Sequence, residues 1–405
     1  MALVAAVSVA TFLLSGRRSS PPIEVGVRPQ FLVNAMPPGK LRDQLQACAT
    51  GPFRRSPFSI AHRGAPLQFP EHTREGYIAA ARMGAGAIEC DVTFTRDGAL
   101  VCRHDECDLH TTTNIVDTPL NAQCSTPWSG PGSRPRCCAS DLTLAQFNSL
   151  RGKMDASNPA ATTPAGYLGG TAAWRTDLYA SHGTLMTLRG SIRLNRQLGV
   201  AHVPELKTGD AARIQRIFGG QEAYAQKLID LYRAEGVDPR DVWLQSFDER
   251  DIRYWLREEP AFGRQAVYLD DVDLAAVPAV PRISPTQLGD LHKAGLRVIA
   301  PPIGALLAVD ATGSLVPSDY AREIRASGFQ IIAWSLERSD LRHGVAPGDF
   351  YYSFDPAGRA VRGDGDLYAV LDTLARGVGV RGVFSDWPAT TTYYANCMID
   401  GRRIP

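Results

Sequence analysis

From about residue 58 the chain alternates between two patterns of apolar positions. Short runs of four to eight residues, rich in Val, Ile and Phe, are separated by longer stretches in which apolar residues recur at helical spacing. The runs are Phe58 to His62, Ala87 to Phe94, Ala99 to His104, Ala201 to Glu205, Val242 to Phe247, Gln265 to Leu269, Leu296 to Ala300, Gln330 to Trp334 and Gly382 to Ser385. The helical stretches include Thr73 to Met83, Leu185 to Leu198, Glu222 to Ala234, Glu249 to Arg257, Pro285 to Ala294, Asp319 to Ser327 and Asp366 to Arg376. Strand and helix in alternation predict a parallel sheet, and about eight such units predict closure into an α/β fold of the (β/α)8 TIM-barrel type. This unit is expected to span residues 58–397, after an N-terminal leader and irregular arm over 1–57. Residues 106–200 show little periodicity and follow a strand end, so they are expected to form a large insertion at the C-terminal mouth of the barrel. Without them 235 of residues 58–387 remain, near the roughly 250 of a typical barrel.

Polar residues interrupt the pattern where a barrel keeps its chemistry, at the C-terminal ends of strands. The first run ends in His62-Arg63-Gly64. The second holds Glu89-Cys90-Asp91, and side-chain alternation turns Glu89 and Asp91 to one face and Cys90 to the other. Two carboxylates so close disfavour each other's ionised form unless a cation lies between them. Asp97-Gly98 is a hairpin signal; as the central pair of a two-residue turn it sets His104 opposite Asp91. Further on, Glu205 and Lys207 share a face. Three carboxylates without thiolate or imidazole favour a hard divalent cation, Ca2+ or Mg2+, over zinc or copper.

Composition sharpens this picture in three places. Forty-three basic and 42 acidic residues leave a net charge of +1, so no global field recruits nucleic acid or an anionic membrane. Only five of the basic residues are lysine, which makes Lys207 beside Glu205 a specific choice of compact ammonium, suited to a phosphate oxygen. Six of the eight cysteines fall in a 49-residue window, and disulfides are expected to fasten the Pro/Gly-rich stretch Thr118 to Ser140. Cys102 with Cys107, and Cys124 with Cys137 or Cys138, are the local pairs expected; Cys90 reads as a buried thiol. Ala2 to Leu14 is too short to span a bilayer and has the length of a secretory signal's apolar segment, which points to a secreted or cell-envelope protein with no stable membrane span.

Taken in order, Ile60-Ala61-His62-Arg63-Gly64, Pro70-Glu71-His72-Thr73, Ile88-Glu89-Cys90-Asp91-Val92, Arg103-His104-Asp105, Pro204-Glu205-Leu206-Lys207, Gln245-Ser246-Phe247, Ala333-Trp334-Ser335 and Gly382-Val383-Phe384-Ser385-Asp386 resemble the glycerophosphodiester phosphodiesterase family, in its secreted form with a long cysteine-bearing insertion. The resemblance implies a (β/α)8 barrel and one divalent cation on Glu89, Asp91 and Glu205. It implies a general acid/base pair at His62 and His104, with Arg63 and Lys207 on phosphate and Glu71 supporting the cation. Trp334 is a candidate apolar wall for the glycerol or leaving group. The reaction implied is hydrolysis of small-molecule glycerophosphodiesters to an alcohol and glycerol 3-phosphate, with lysolipids the other substrate class. His72 stands where the family has Asn, and Thr73 reads as a helix N-cap. Two other readings share these residues: a phospholipase D-like or sphingomyelinase D-like enzyme, and a non-catalytic barrel that binds phosphorylated ligands.

Overall fold

A computed structural model describes residues 22–179, 183–272 and 283–400. The apolar segment Ala2 to Leu14 lies outside the described residues. Among the described residues eleven strands follow one another: β1 Ser56–Ala61, β2 Ala85–Phe94, β3 Leu100–Cys102, β4 Ala201–Leu206, β5 Gln245–Ser246, β6 Val267–Leu269, β7 Val298–Ala300, β8 Leu307–Val309, β9 Leu315–Pro317, β10 Gln330–Leu336 and β11 Gly382–Ser385. β1, β2, β4, β5, β6, β7, β10 and β11 pair in parallel in that order, and β11 returns to β1, so the sheet closes into the expected barrel. Ile60, Ala87, Val203, Val267, Leu269, Val298, Ala300, Ile332 and Phe384 pack together inside it. The other faces of the strands meet the helices in a second, larger core.

The helices start and stop where local chemistry requires. Thr73 caps the helix Arg74–Arg82 by accepting from Gly76 N at 3.3 Å. Ser284 caps Pro285–Ala294, which ends at Gly295 with φ 107°, a left-handed conformation that suits glycine. Helix Leu188–Leu198, predicted by the helical spacing of Leu185 to Leu198, packs on β2, β3 and β4 as a barrel helix, so the insertion ends before residue 188 rather than at 200. The hairpin β8–β9 and the helices Ala211–Phe218 and Pro388–Tyr394 escape the sequence reading because they are short or lack clear periodicity. The arm is not irregular: Arg28–Ala35 and Lys40–Ala47 are helices, and Leu32, Val33 and Leu45 are fully buried.

The insertion holds itself together. Leu109, Ile115, Val116, Leu142, Phe147, Leu150 and Tyr167 form a satellite core, stapled by Cys107–Cys138 and Cys124–Cys137. Lys153 donates to the carbonyls of Thr111, Met154 and Ala156, tying its own loop to the segment at Thr111.

Two expectations about the β2–β3 hairpin need correction, and they share a cause. The turn holds three residues, not two: Thr95 N donates to Ala99 O at 2.9 Å and Gly98 takes φ 76°. Register therefore slips by one, Val92 faces Cys102, and Arg103 N donates to Asp91 O in the place expected for His104. Cys102 then lies diagonally across from Cys90 on the outer face, and the two form a disulfide. Cys90 is not a free thiol, and Cys107 pairs with Cys138 rather than Cys102. The remaining pair, Cys48–Cys397, joins the arm to the last helical segment, and no free cysteine is left.

Candidate active site

The strand ends converge on a cavity of about 260 Å³ lined by His62, Arg63, Glu89, His104, Glu205, Lys207, Phe247, Leu269, Trp334, Arg338, Tyr351 and Phe384. Glu89 and Asp91 face inward from β2, as alternation requires. Glu205 comes from the end of β4, whose register sets it beside Asp91. Glu89, Asp91 and Glu205 are buried, and each offers an oxygen within 4.8 Å of the others'.

Each acid has its own second partner. Glu89 accepts from Gln245 Nε2 at 2.7 Å and from Arg63 N at 3.0 Å. Asp91 Oδ2 lies 2.9 Å from His72 Nε2 and 3.3 Å from Arg63 Nε. Glu205 pairs with Lys207 Nζ at 2.6 Å. Burial, reinforced by repulsion from Asp91 and Glu205, pushes the Glu89 carboxyl well up from its ordinary value. Burial also raises Glu205, to about 7, against the pull of Lys207. Asp91 goes the other way: burial opposes its charge, but His72, Lys207 and Arg63 outweigh it and hold the carboxyl well down.

A divalent cation fits this set. Asp91 Oδ1 is buried with no hydrogen-bond partner among the described residues, which is costly unless something electropositive faces it. All three donors are carboxylate oxygens, the ligand type that calcium and magnesium prefer.

The polar groups around the acids are held by a strained loop. Arg63 and His72 both take left-handed conformations, with φ 55° each, and His72 N donates to Arg63 O at 2.9 Å. This turn sends Arg63 Nη1 to Glu71 Oε2 at 3.0 Å. Glu71 also lies 3.7 Å from Arg338, so its neighbours are guanidinium groups; burial pushes its carboxyl up, and Arg63 and Arg338 outweigh that and draw it well down. Tyr77 supports the loop from behind, with its hydroxyl 3.2 Å from His72 Nδ1 and donating to Glu89 O at 2.6 Å.

The two imidazoles sit in different settings. His62 Nδ1 is 2.6 Å from Asp386 Oδ1, and its Nε2 is 3.8 Å from Glu89. Burial and Arg63 lower the His62 pKa to about 4, against the opposing pull of Asp386. His104 is half-buried and has no hydrogen-bond partner among the described residues; burial, Arg63 and Lys207 hold it well below its ordinary value. Trp334 is fixed by Nε1 donating to Ala300 O at 2.7 Å, and it meets Phe247, Phe350 and Tyr351 at ring distances of 5.9, 5.9 and 6.1 Å.

The structure thus brings His62, Arg63, Glu71, Glu89, Asp91, His104, Glu205, Lys207 and Trp334 to one mouth of the barrel. Sequence reasoning passed over Asp386, Arg338, Gln245 and a role for His72. Asp386 and Gln245 sit in motifs already noted, but nothing in their spacing says that one meets His62 and the other Glu89. Arg338 carries no local signal, since its partners come from the residue just past β11 and from the loop after β1.

Residues 62–390 match the family model described as the glycerophosphoryl diester phosphodiesterase family. The chain belongs to that family. It is therefore an enzyme of the phosphodiester hydrolase class, in agreement with the resemblance carried by its motifs. An "Extracellular protein" of Arthroderma benhamiae is 45% identical over 249 residues, which cover 60% of this chain and 99% of the relative. A glycerophosphodiester phosphodiesterase of Bacillus subtilis is 48% identical over 56 residues, 14% of this chain and 19% of that protein. Among solved structures, one assigned to the glycerophosphoryl diester phosphodiesterases of Silicibacter pomeroyi aligns with a TM-score of 0.56 and 19% identity, covering 86% of this chain and 96% of the other. That likeness bears on the fold.

Proposed function

We propose that this family member hydrolyses glycerophosphodiesters to an alcohol and glycerol 3-phosphate with a divalent cation, Ca2+ or Mg2+, held by Glu89, Asp91 and Glu205. The observation that carries the reading is the gathering of those three buried carboxylates within 4.8 Å, on the cavity that also holds His62, His104, Arg63 and Lys207. When bound, the cation supplies positive charge against a phosphoryl oxygen. Arg63 and Lys207 bind and orient the phosphodiester, and their charges offset the negative charge that grows at phosphorus.

His62 is the general base. Asp386 accepts its Nδ1–H, which fixes the tautomer and leaves the Nε2 lone pair toward the cavity. It takes the proton of the nucleophile, water or the substrate's own glycerol hydroxyl, as the new P–O bond forms; the cyclic phosphate made by the second route is then opened by water. The negative charge of a bound phosphodiester offsets Arg63 and Lys207, the cations that disfavour a charged His104; the imidazole takes up a proton as substrate binds and delivers it to the alcohol oxygen as the old P–O bond breaks. Trp334, Phe247 and Tyr351 exclude water from the side where the glycerol or leaving group lies. Glu71 keeps Arg63 in place, and His72 aims Asp91.

We also infer a secreted or cell-envelope location. Four disulfides fit an oxidising compartment, and a relative is named an extracellular protein. Among the described residues no helix is long and apolar enough to cross a membrane.

Turnover of a panel of glycerophosphodiesters and lysolipids, with each product identified, tests the function. Glycerol 3-phosphate released together with the free alcohol is expected. Turnover of lysolipids alone would move the chain to the phospholipase D-like reading, and binding without turnover to the non-catalytic one.

A further inference from the structure

The arm before the barrel contributes the half-buried end of a line of charges that leads inward to His62. Arg28 opens the helix Arg28–Ala35. Its Nε lies 3.1 and 3.0 Å from the two carboxylate oxygens of Glu337, and its Nη2 contacts one of them as well. Glu337 is buried and takes a left-handed conformation, φ 64°, just after β10. It also accepts from the Thr390 hydroxyl, and Arg28 is its only cationic partner among the described residues. The next residue, Arg338, donates through Nη1 to Asp386 Oδ2 at 2.9 Å, and Asp386 Oδ1 meets His62 Nδ1 at 2.6 Å.

We propose that Arg28 is a positioning residue: by neutralising Glu337 it fixes the turn that sets Arg338 on Asp386, and so aims the His62 imidazole. This rests on the role given to His62 above. The physical reason is the cost of an unpaired buried carboxylate. Without Arg28, Glu337 must find another cation, and Arg338, adjacent in the chain, is the one at hand. Asp386 then loses one of its two holds, and the ring it orients gains freedom.

The arm stays docked without that ion pair. Leu32 and Val33 are fully buried, Gln30 Nε2 donates to the Tyr393 hydroxyl at 2.9 Å, and Cys48–Cys397 ties the following helix to the end of the fold. The charge of Arg28 can therefore be removed without releasing the element that carries it.

The test compares the full-length wild type, Arg28→Met, Arg28→Lys and the double variant Cys48→Ser/Cys397→Ser, with glycerophosphocholine as probe. Arg28→Met is expected to lower kcat by about tenfold to a hundredfold, the scale of a small misplacement of a reacting group, with KM held within about twofold. Arg28→Lys should recover much of the loss. The disulfide variant should lose Tm yet keep kcat at room temperature, because it loosens the arm away from the charges. In parallel, 1H–15N spectra of labelled imidazoles should show a single Nδ1–H tautomer for His62 in the wild type, shifted or broadened in Arg28→Met while His202 is unmoved. An unchanged His62 signal, wild-type kcat in Arg28→Met, or a kcat loss that merely follows Tm across all variants would overturn the proposal. The spectra need no substrate, so a wild type that fails to turn over the probe refutes the assigned reaction separately.

Discussion

His62 and His104 do comparable work in the proposed reaction but are held differently, and this sets what their removal should cost. Replacing either by Ala is expected to lower kcat by about a hundredfold to ten-thousandfold, with Tm nearly retained, as measured by steady-state kinetics and thermal unfolding. A third histidine illustrates the opposite case. His202 is buried on the outer face of β4 against Tyr232, and burial lowers its pKa from 6.5 to about 4. Because the folded state binds this proton less readily than the unfolded chain, its contribution is complete above pH 6.5 and is lost as pH falls toward 4. His202→Phe should remove roughly 3 kcal/mol of the acid loss, seen as a shallower fall of unfolding free energy over that window. At this scale the sequence was most informative where a residue's partners are its neighbours: Glu89 with Asp91, and Glu205 with Lys207. It was silent on Asp386, Arg338 and His72, whose importance lies in partners far along the chain.

Among the elements, the hairpin shows how much one residue of turn length decides. A three-residue turn in place of two moved Arg103 opposite Asp91 and brought Cys102 to Cys90, yet His104 still reaches the cavity because β3 ends at Cys102 and the chain is free to bend. Strand alternation was robust to this slip, since it depends on β2 alone. The arm carries no comparable local signal: its helices are short, and what orders them is burial against the barrel's last helices. Gly365 records that contact. A Cβ there would lie 2.2 Å from Ala35 O, a backbone atom with no easy way to yield. Gly365→Ala is accordingly expected to destabilise the fold by roughly 1–3 kcal/mol through overpacking, measurable by denaturant unfolding.

For the whole molecule, the closed barrel was legible because eight alternating units leave few other topologies, whereas of the disulfides only Cys124–Cys137 was, since pairing follows three-dimensional proximity. Cys48–Cys397 joins residues 349 positions apart and makes the described part of the arm a fixed part of the fold. With a net charge of +1, attraction of a phosphodiester must arise at the mouth, where Arg63 and Lys207 stand beside three acids that repel anions unless a cation offsets them. The most direct measurement is calorimetric titration of chelator-stripped protein with Ca2+ and Mg2+, alongside turnover of glycerophosphocholine. One ion should bind per chain and restore activity, and Asp91→Asn should weaken both together. Full turnover in excess EDTA, or ion binding unaltered in Asp91→Asn, would contradict the account.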